Sequence, residues 1–137
     1  MQYWLFKSEA NTWSWDQQVD KGAAGEEWDG VRNYQARNNM RLMKLGDRGF
    51  FYHSLKEKAV VGIVEVCKEV HPDSTTDDPR WECVDIRAIE PVANPVTLEM
   101  CKKDPRLADM VLVNNTRLSV QPVTPEEWAV VLELAGM

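Results

Sequence analysis

Phe50-Phe51-Tyr52-His53-Ser54-Leu55-Lys56-Glu57-Lys58-Ala59-Val60-Val61-Gly62-Ile63-Val64-Glu65-Val66-Cys67-Lys68-Glu69-Val70 is the stretch on which the fold turns. Aromatic and β-branched residues fill its two ends, and a charged connection from Leu55 to Lys58 divides them, so it reads as two consecutive strands. Gly62, inside the second run, marks a bulge or a close backbone approach. A polar loop follows from His71 to Pro79. Trp81 then opens another strand, in which Val84, Ile86 and Ala88 alternate with Asp85 and Arg87, one face in and one face out. Pro91 and Pro95 are expected to stop it. These strands follow one another with no regular βαβ alternation, which points to a small, largely antiparallel barrel.

Upstream, Tyr3 to Lys7 reads as a buried strand, and Thr12 or Ser14 caps a short helix through Gln18. A loop rich in glycine and acids covers residues 20 to 30. Asn33 caps the next helix, and Gly46 sits where its left-handed terminus belongs. Ala36, Met40 and Met43 form its buried face, while Arg37, Arg41, Lys44 and Arg48 line up on a second face. Downstream, Thr97 and Asp104-Pro105 look like helix starts. Met110 to Val113 and Leu118 to Val120 read as short strands, with Asn114-Asn115 as the hairpin between them. Thr124-Pro125-Glu126-Glu127 is a capping box with proline at the first helical position, and it leads a helix whose Trp128, Val131, Leu132 and Ala135 share one face. Five or six strands with early and late helices give an α+β class: a small antiparallel β-barrel flanked by α-helices, one domain over residues 1–137.

The chain has 137 residues, 44% apolar and 28% charged, as ordinary globular domains do. Its net charge of −6 argues against a protein that coats nucleic acid without specificity. That total hides an asymmetry. Five of the 16 bases and only one of the 22 acids fall between Val31 and Arg48, a local +4 against −10 elsewhere. Cys67, Cys83 and Cys101 are odd in number and widely spaced, and His53 and His71 are far apart, so no disulfide framework, metal site or cofactor is expected. The first apolar run is too short for a signal peptide and nothing approaches a membrane span, so the expectation is a cytoplasmic or nuclear protein, neither secreted nor membrane-bound. No Walker loop, GxGxxG, GxSxG, HExxH or kinase set is present.

Trp28-Asp29-Gly30-Val31-Arg32-Asn33-Tyr34-Gln35-Ala36-Arg37-Asn38 carries the most chemistry. A flat apolar face beside groups that donate and accept hydrogen bonds is what reading a nucleobase needs. The plainer reading is a helix start, with Gly30 turning the chain, Asn33 capping and Tyr34 opening a surface helix. Six tryptophans sharpen the question, because so large a side chain is used either in a core or against a ligand.

Four segments decide between them by resemblance. Tyr3 to Glu9, Trp28 to Asn38, Phe51-Tyr52-His53-Ser54 and Arg117 to Val123 resemble, in order and spacing, the EVE domain. That resemblance implies a PUA-like fold and kinship with YTH domains, which hold a methylated adenine in an aromatic cage. It implies a non-enzymatic reader of modified bases in DNA or RNA, modified cytosines foremost, with a separate nuclease as a partner in bacteria. Carried over by position, Lys7, Ser8, Trp28, Asn33, Tyr34, His53, Ser54, Trp81, Leu118 and Ser119 would surround the base, and Arg32 and Arg37 would meet phosphates. Trp28 and Trp81 would stack on the ring, and Asn33, Ser8 or Ser119 would bond its edge. Trp4, Trp13, Trp15 and Trp128 are assigned to core or helix docking. Trp28→Ala is expected to abolish binding and leave the melt nearly unchanged. The family's loop before Trp81 is usually longer and aromatic; here Asp73 to Pro79 is short, which implies a more open pocket. Two other readings stand beside the reader: an enzyme on a nucleotide or modified base with Glu9 or His53 as acid/base, and a protein or small-ligand module using the same pocket.

Overall fold

Alternation along the first strand, β1 (Tyr3–Ser8), sorts the whole core. Trp4 and Phe6 point to one side, Leu5 to the other, and all three are buried. Strand β3 (Arg48–His53) repeats the pattern, with Phe51 joining Trp4 and Phe6 while Phe50 and Tyr52 join Leu5. The sheet is therefore apolar on both faces and needs a cover on each. The computed structural model, which describes residues 1–115 and 117–137, shows both covers.

On the first face lie α1 (Trp15–Asp20), α2 (Tyr34–Leu42) and the segment around Trp28; on the second lie α3 (Leu98–Lys103), α4 (Val111–Asn114) and α5 (Pro125–Leu134). The remaining strands are β2 (Glu26–Glu27), β4 (Ala59–Pro72), β5 (Glu82–Thr97) and β6 (Val120–Val123), in the sheet order β2-β5-β4-β3-β1-β6. The α+β class with flanking helices stands. The sheet is mixed, because β1 and β3 run parallel, from Tyr3 opposite Arg48 to Ser8 opposite His53, joined by a crossover through α1, β2 and α2. It also stays open, with β2 and β6 as its edges and not a closed barrel.

Five elements differ from the expectation read in the sequence. Strand β5 runs through Pro91 and Pro95. Val60 stands opposite Val96 and Gly62 opposite Pro91, so residues 92–95 bulge out against Val61 alone, where a proline is owed no ladder bond. Strand β4 continues to Pro72, which shortens the polar loop. Residues 111–114 form a helical turn instead of a strand, with the Asn114 amide donating to the Ala108 and Met110 carbonyls. The Asn115 side chain accepts from the Arg117 and Leu118 amides, and β6 begins only at Val120, so the strand expected from Leu118 lies two residues later and pairs with β1 and not with residues 111–114. Helix α2 ends at Leu42 with Met43 already extended, so Lys44 and Arg48 leave the basic row.

Candidate functional site

A cleft of about 470 Å³ opens where the end of β1, the turn before α1, β2 and residues 28–32 meet, a size that suits a small ligand. Trp28 is its fixed wall. The indole is 8% exposed, packs edge-on against Phe6 at 5.4 Å and Phe51 at 5.7 Å, and lines the cleft. Its backbone N–H donates to the Val84 carbonyl at 2.9 Å, which extends the β2–β5 pairing by one residue. Beyond it, Gly30 takes φ +76°, a left-handed conformation that glycine adopts without strain. Its N–H donates to Asp73 Oδ2 at 2.9 Å, and Arg32 Nη1 donates to the same oxygen at 3.1 Å. The Thr75 amide and hydroxyl donate to the other oxygen, at 2.8 and 2.5 Å. Burial by itself would raise the Asp73 carboxyl, but these bonds outweigh it and hold the group down at about 2. Asp73 thus ties the rim loop to the β4–β5 connection.

A second indole, Trp13, also lines the cleft. The Ser8 hydroxyl donates to the Trp13 carbonyl, and Trp13 Nε1 donates to Gln18 Oε1 at 3.0 Å. Gln18 is fully buried and donates to the Ile86 carbonyl at 3.0 Å, so Trp13 is anchored to the sheet. The charged lining is Glu9, Glu26, Glu27 and Asp29 against Lys7 and Arg32. Burial, followed by the charges of Asp73, Glu27 and Glu26, raises the Asp29 carboxyl; burial lowers the Lys7 amine. An aromatic-walled, net acidic hollow of this kind accepts hydrogen bonds from an amine-bearing ring better than it holds an anion.

The family model of the EVE domain matches residues 2–134 of the chain. The chain belongs to the EVE-domain family. Thymocyte nuclear protein 1 of mouse is 36% identical over 96% of the chain and 73% of its own length. A crystal structure from Agrobacterium tumefaciens is 58% identical, with TM-score 0.99 over 100% of this chain and 94% of that one. Human THYN1 protein, solved in complex with DNA containing 5-methylcytosine, is 34% identical, with TM-score 0.92 over 100% and 99% of the two chains. At 17% identity and TM-score 0.57, over 98% of this chain and 86% of that one, the YTH domain of Zygosaccharomyces rouxii MRB1 protein shares the fold.

Of the residues that the EVE resemblance put around a base or at its phosphates, Lys7, Ser8, Trp28 and Ser119 from the first group and Arg32 from the second line the cleft. The others do not, and each has a visible engagement. Asn33 Oδ1 caps α2 by accepting from the Ala36 amide at 2.8 Å. His53 Nε2 accepts from the Trp15 amide at 3.1 Å, leaving the ring proton on Nδ1, 2.6 Å from Glu57. Ser54 braces the end of β1 through its amide, 2.9 Å from the Ser8 carbonyl. Leu118 is 2% exposed and sits in the core. Tyr34 and Trp81 stack on each other at 5.0 Å outside the cleft, with Arg37 over Tyr34 at 4.8 Å. Glu9 lines the cleft, whereas His53, the alternative acid/base, does not.

Trp13, expected in the core or at a helix dock, does pack against the first core cluster, and it lines the cleft as well; Asp73 reads in the sequence only as part of a loop. The Ser8–Trp13 bond and the Asp73–Gly30 bond join residues across separate segments, and neither pattern repeats in a way that spacing reveals. The fold also gathers Glu27, His71 and Cys83, whose ligand-type atoms lie within 4.8 Å of one another although their spacing in sequence signals nothing. Hydrogen bonds engage all three: Cys83 Sγ donates to Glu27 at 3.3 Å, Ser74 donates to Glu27, and His71 Nε2 lies 2.7 Å from Asp85. No helix among the described residues is long and apolar enough to cross a membrane.

Proposed function

We propose that this EVE domain is a reader, not a catalyst, that accepts one modified base flipped out of DNA or RNA into the cleft walled by Trp28 and Trp13. The observation that carries the reading is a rigid indole at the cleft wall with hydroxyls, a lysine and carboxylates around it. The relative solved with 5-methylcytosine DNA supports the ligand class. Stacking on an indole contributes about 1–3 kcal/mol per base. The carboxylates favour a ring with an exocyclic amine, whose N–H bonds they accept, so a modified cytosine fits better than a modified thymine or uracil. Ser8 and Ser119 supply further edge contacts.

The test is a titration of the protein with single- and double-stranded oligonucleotides that differ only in one 5-methylcytosine. Wild type is expected to prefer the modified strand, and Trp13→Ala and Asp29→Asn to lose that preference. Equal affinity for both strands, or a preference unmoved by both substitutions, overturns the assignment. A change in the mass of the modified strand after incubation, lost in Glu9→Gln, would establish turnover in its place.

A further inference from the structure

We infer that the aromatic pair Tyr34–Trp81 holds Arg37 as a contact for the phosphodiester backbone beside the cleft, and that Trp81 is a positioning residue. Four arginines gather here, and three of them have their charge matched. Arg32 pairs with Asp73 at 3.1 Å, Arg41 with Glu82 at 2.5 Å, and Arg80 with Asp78 at 2.6 Å. Arg37 differs. Among the described residues its guanidinium donates to neutral oxygens, Asn38 Oδ1 at 2.7 and 3.2 Å and the Arg80 carbonyl at 2.9 Å. Such bonds orient a cation without cancelling its charge.

Aromatic faces complete the mount. Arg37 Cζ lies 4.8 Å from the Tyr34 ring centre and 6.0 Å from that of Trp81, and Arg80 Nη1 donates to the Tyr34 hydroxyl at 3.2 Å. A guanidinium held this way loses less rotamer freedom when it meets an anion, so little of the contact is offset by ordering. Arg32 joins the mount to the cleft, because it lines the cleft and lies 5.5 Å over the other indole, Trp81. On a chain of net charge −6 and beside an acidic cleft, this ridge separates the two tasks: carboxylates face the base, and a preset arginine faces the strand. Which nucleotide lies alongside rests on the base-reading proposal; the phosphate contact itself does not.

The experiment measures affinity for single strands with and without 5-methylcytosine across a salt series, in wild type, Arg37→Gln, Trp81→Ala and Trp81→Phe. Arg37→Gln should weaken both strands alike, by about five- to tenfold at low salt, and reduce the slope of log K against log salt by about one. Trp81→Ala should do part of the same and Trp81→Phe restore it, with thermal melts of Arg37→Gln and Trp81→Phe near wild type. Unchanged affinity and slope in Arg37→Gln, or a loss confined to the modified strand, overturns the ridge. A wild type that does not discriminate the strands, yet loses both in Arg37→Gln, removes the base reading and keeps the ridge. A wild type that binds neither strand removes both.

Discussion

At residue scale, the Trp28 indole meets Phe6 and Phe51 edge-on, and the residue, 8% exposed, also lines the cleft. The same ring is core and wall, so the expectation that Trp28→Ala spares the melt fails on packing grounds. Removing a buried tryptophan leaves a cavity, and the loss should be about 3–5 kcal/mol in urea unfolding. Trp13 is only half-buried, and Trp13→Ala should cost about 1–2 kcal/mol, within the ordinary range for one substitution. A Trp28→Ala melt within a degree of wild type would show that the indole is not packed as described. Polar neighbours point to Trp28 and the resemblance to Lys7, Ser8, Arg32 and Ser119, and these five line the cleft. Trp13 is assignable to the core or a helix dock, and it packs there, but nothing local shows that the same residue also lines the cleft. The engagements of Asn33 and His53 depend on partners that only the tertiary fold supplies, apart from the cap, which the helix-start reading of Asn33 already contained.

At the scale of elements, capping chemistry was the legible part. Ser14, Asn33, Thr97 and Thr124 each accept from an amide in the first turn of the helix they precede, as local side-chain rules require. Strand extents were harder. A proline argues against a ladder position, and only the partner strand reveals that β5 bulges over residues 92–95, which hold Pro95 and directly follow Pro91. A short apolar run such as Met110 to Val113 is ambiguous between strand and helical turn until packing selects one. Gly62 reads as marking a bulge or a close approach; the bulged residue is its neighbour Val61, skipped by the pairings with β3 and β5, and Gly62 itself is the close approach. A methyl group on Gly62 would stand 2.4 Å from the Trp15 ring. That close approach lets Trp15, the first residue of α1, lie directly on the sheet. Gly62→Ala should therefore destabilise by about 1–3 kcal/mol through overpacking. In a Trp15→Leu background the same change should cost markedly less, because the two positions share one contact. Additive losses in that double-mutant cycle would disprove the close approach.

For the whole molecule, the two-sided core explains why the fold class was readable while the closure of the sheet was not. Alternating apolar residues in β1 and β3 require a cover on each face, but whether the edges of the sheet meet is settled by twist and strand length, which pattern does not encode. The link between the sheet and the cleft rim runs through Asp73, and that makes the rim sensitive to acid. Its carboxyl, near 3.8 when unhindered, is held at about 2 in the folded protein. A group depressed on folding stabilises the native state above its unfolded value, and the contribution disappears as pH falls through the folded one. The loss should therefore fall between about pH 4 and pH 2, with the contribution intact at neutral pH. Asp78, also held at about 2 by hydrogen bonds from Arg80, acts in the same direction from a partly exposed position, whereas Asp29, raised mainly by burial, acts in the opposite one. Asp73→Asn removes the largest buried part of this dependence. It should melt lower than wild type at pH 7, by about 1–3 kcal/mol of lost charge-assisted bonding, and show a shallower decline below pH 4. It should also weaken oligonucleotide binding at pH 7, because the turn at Gly30 and the guanidinium of Arg32 lose their common anchor. Parallel melting curves for the two proteins between pH 4 and pH 2 would mean that the rim is held by something other than this carboxylate.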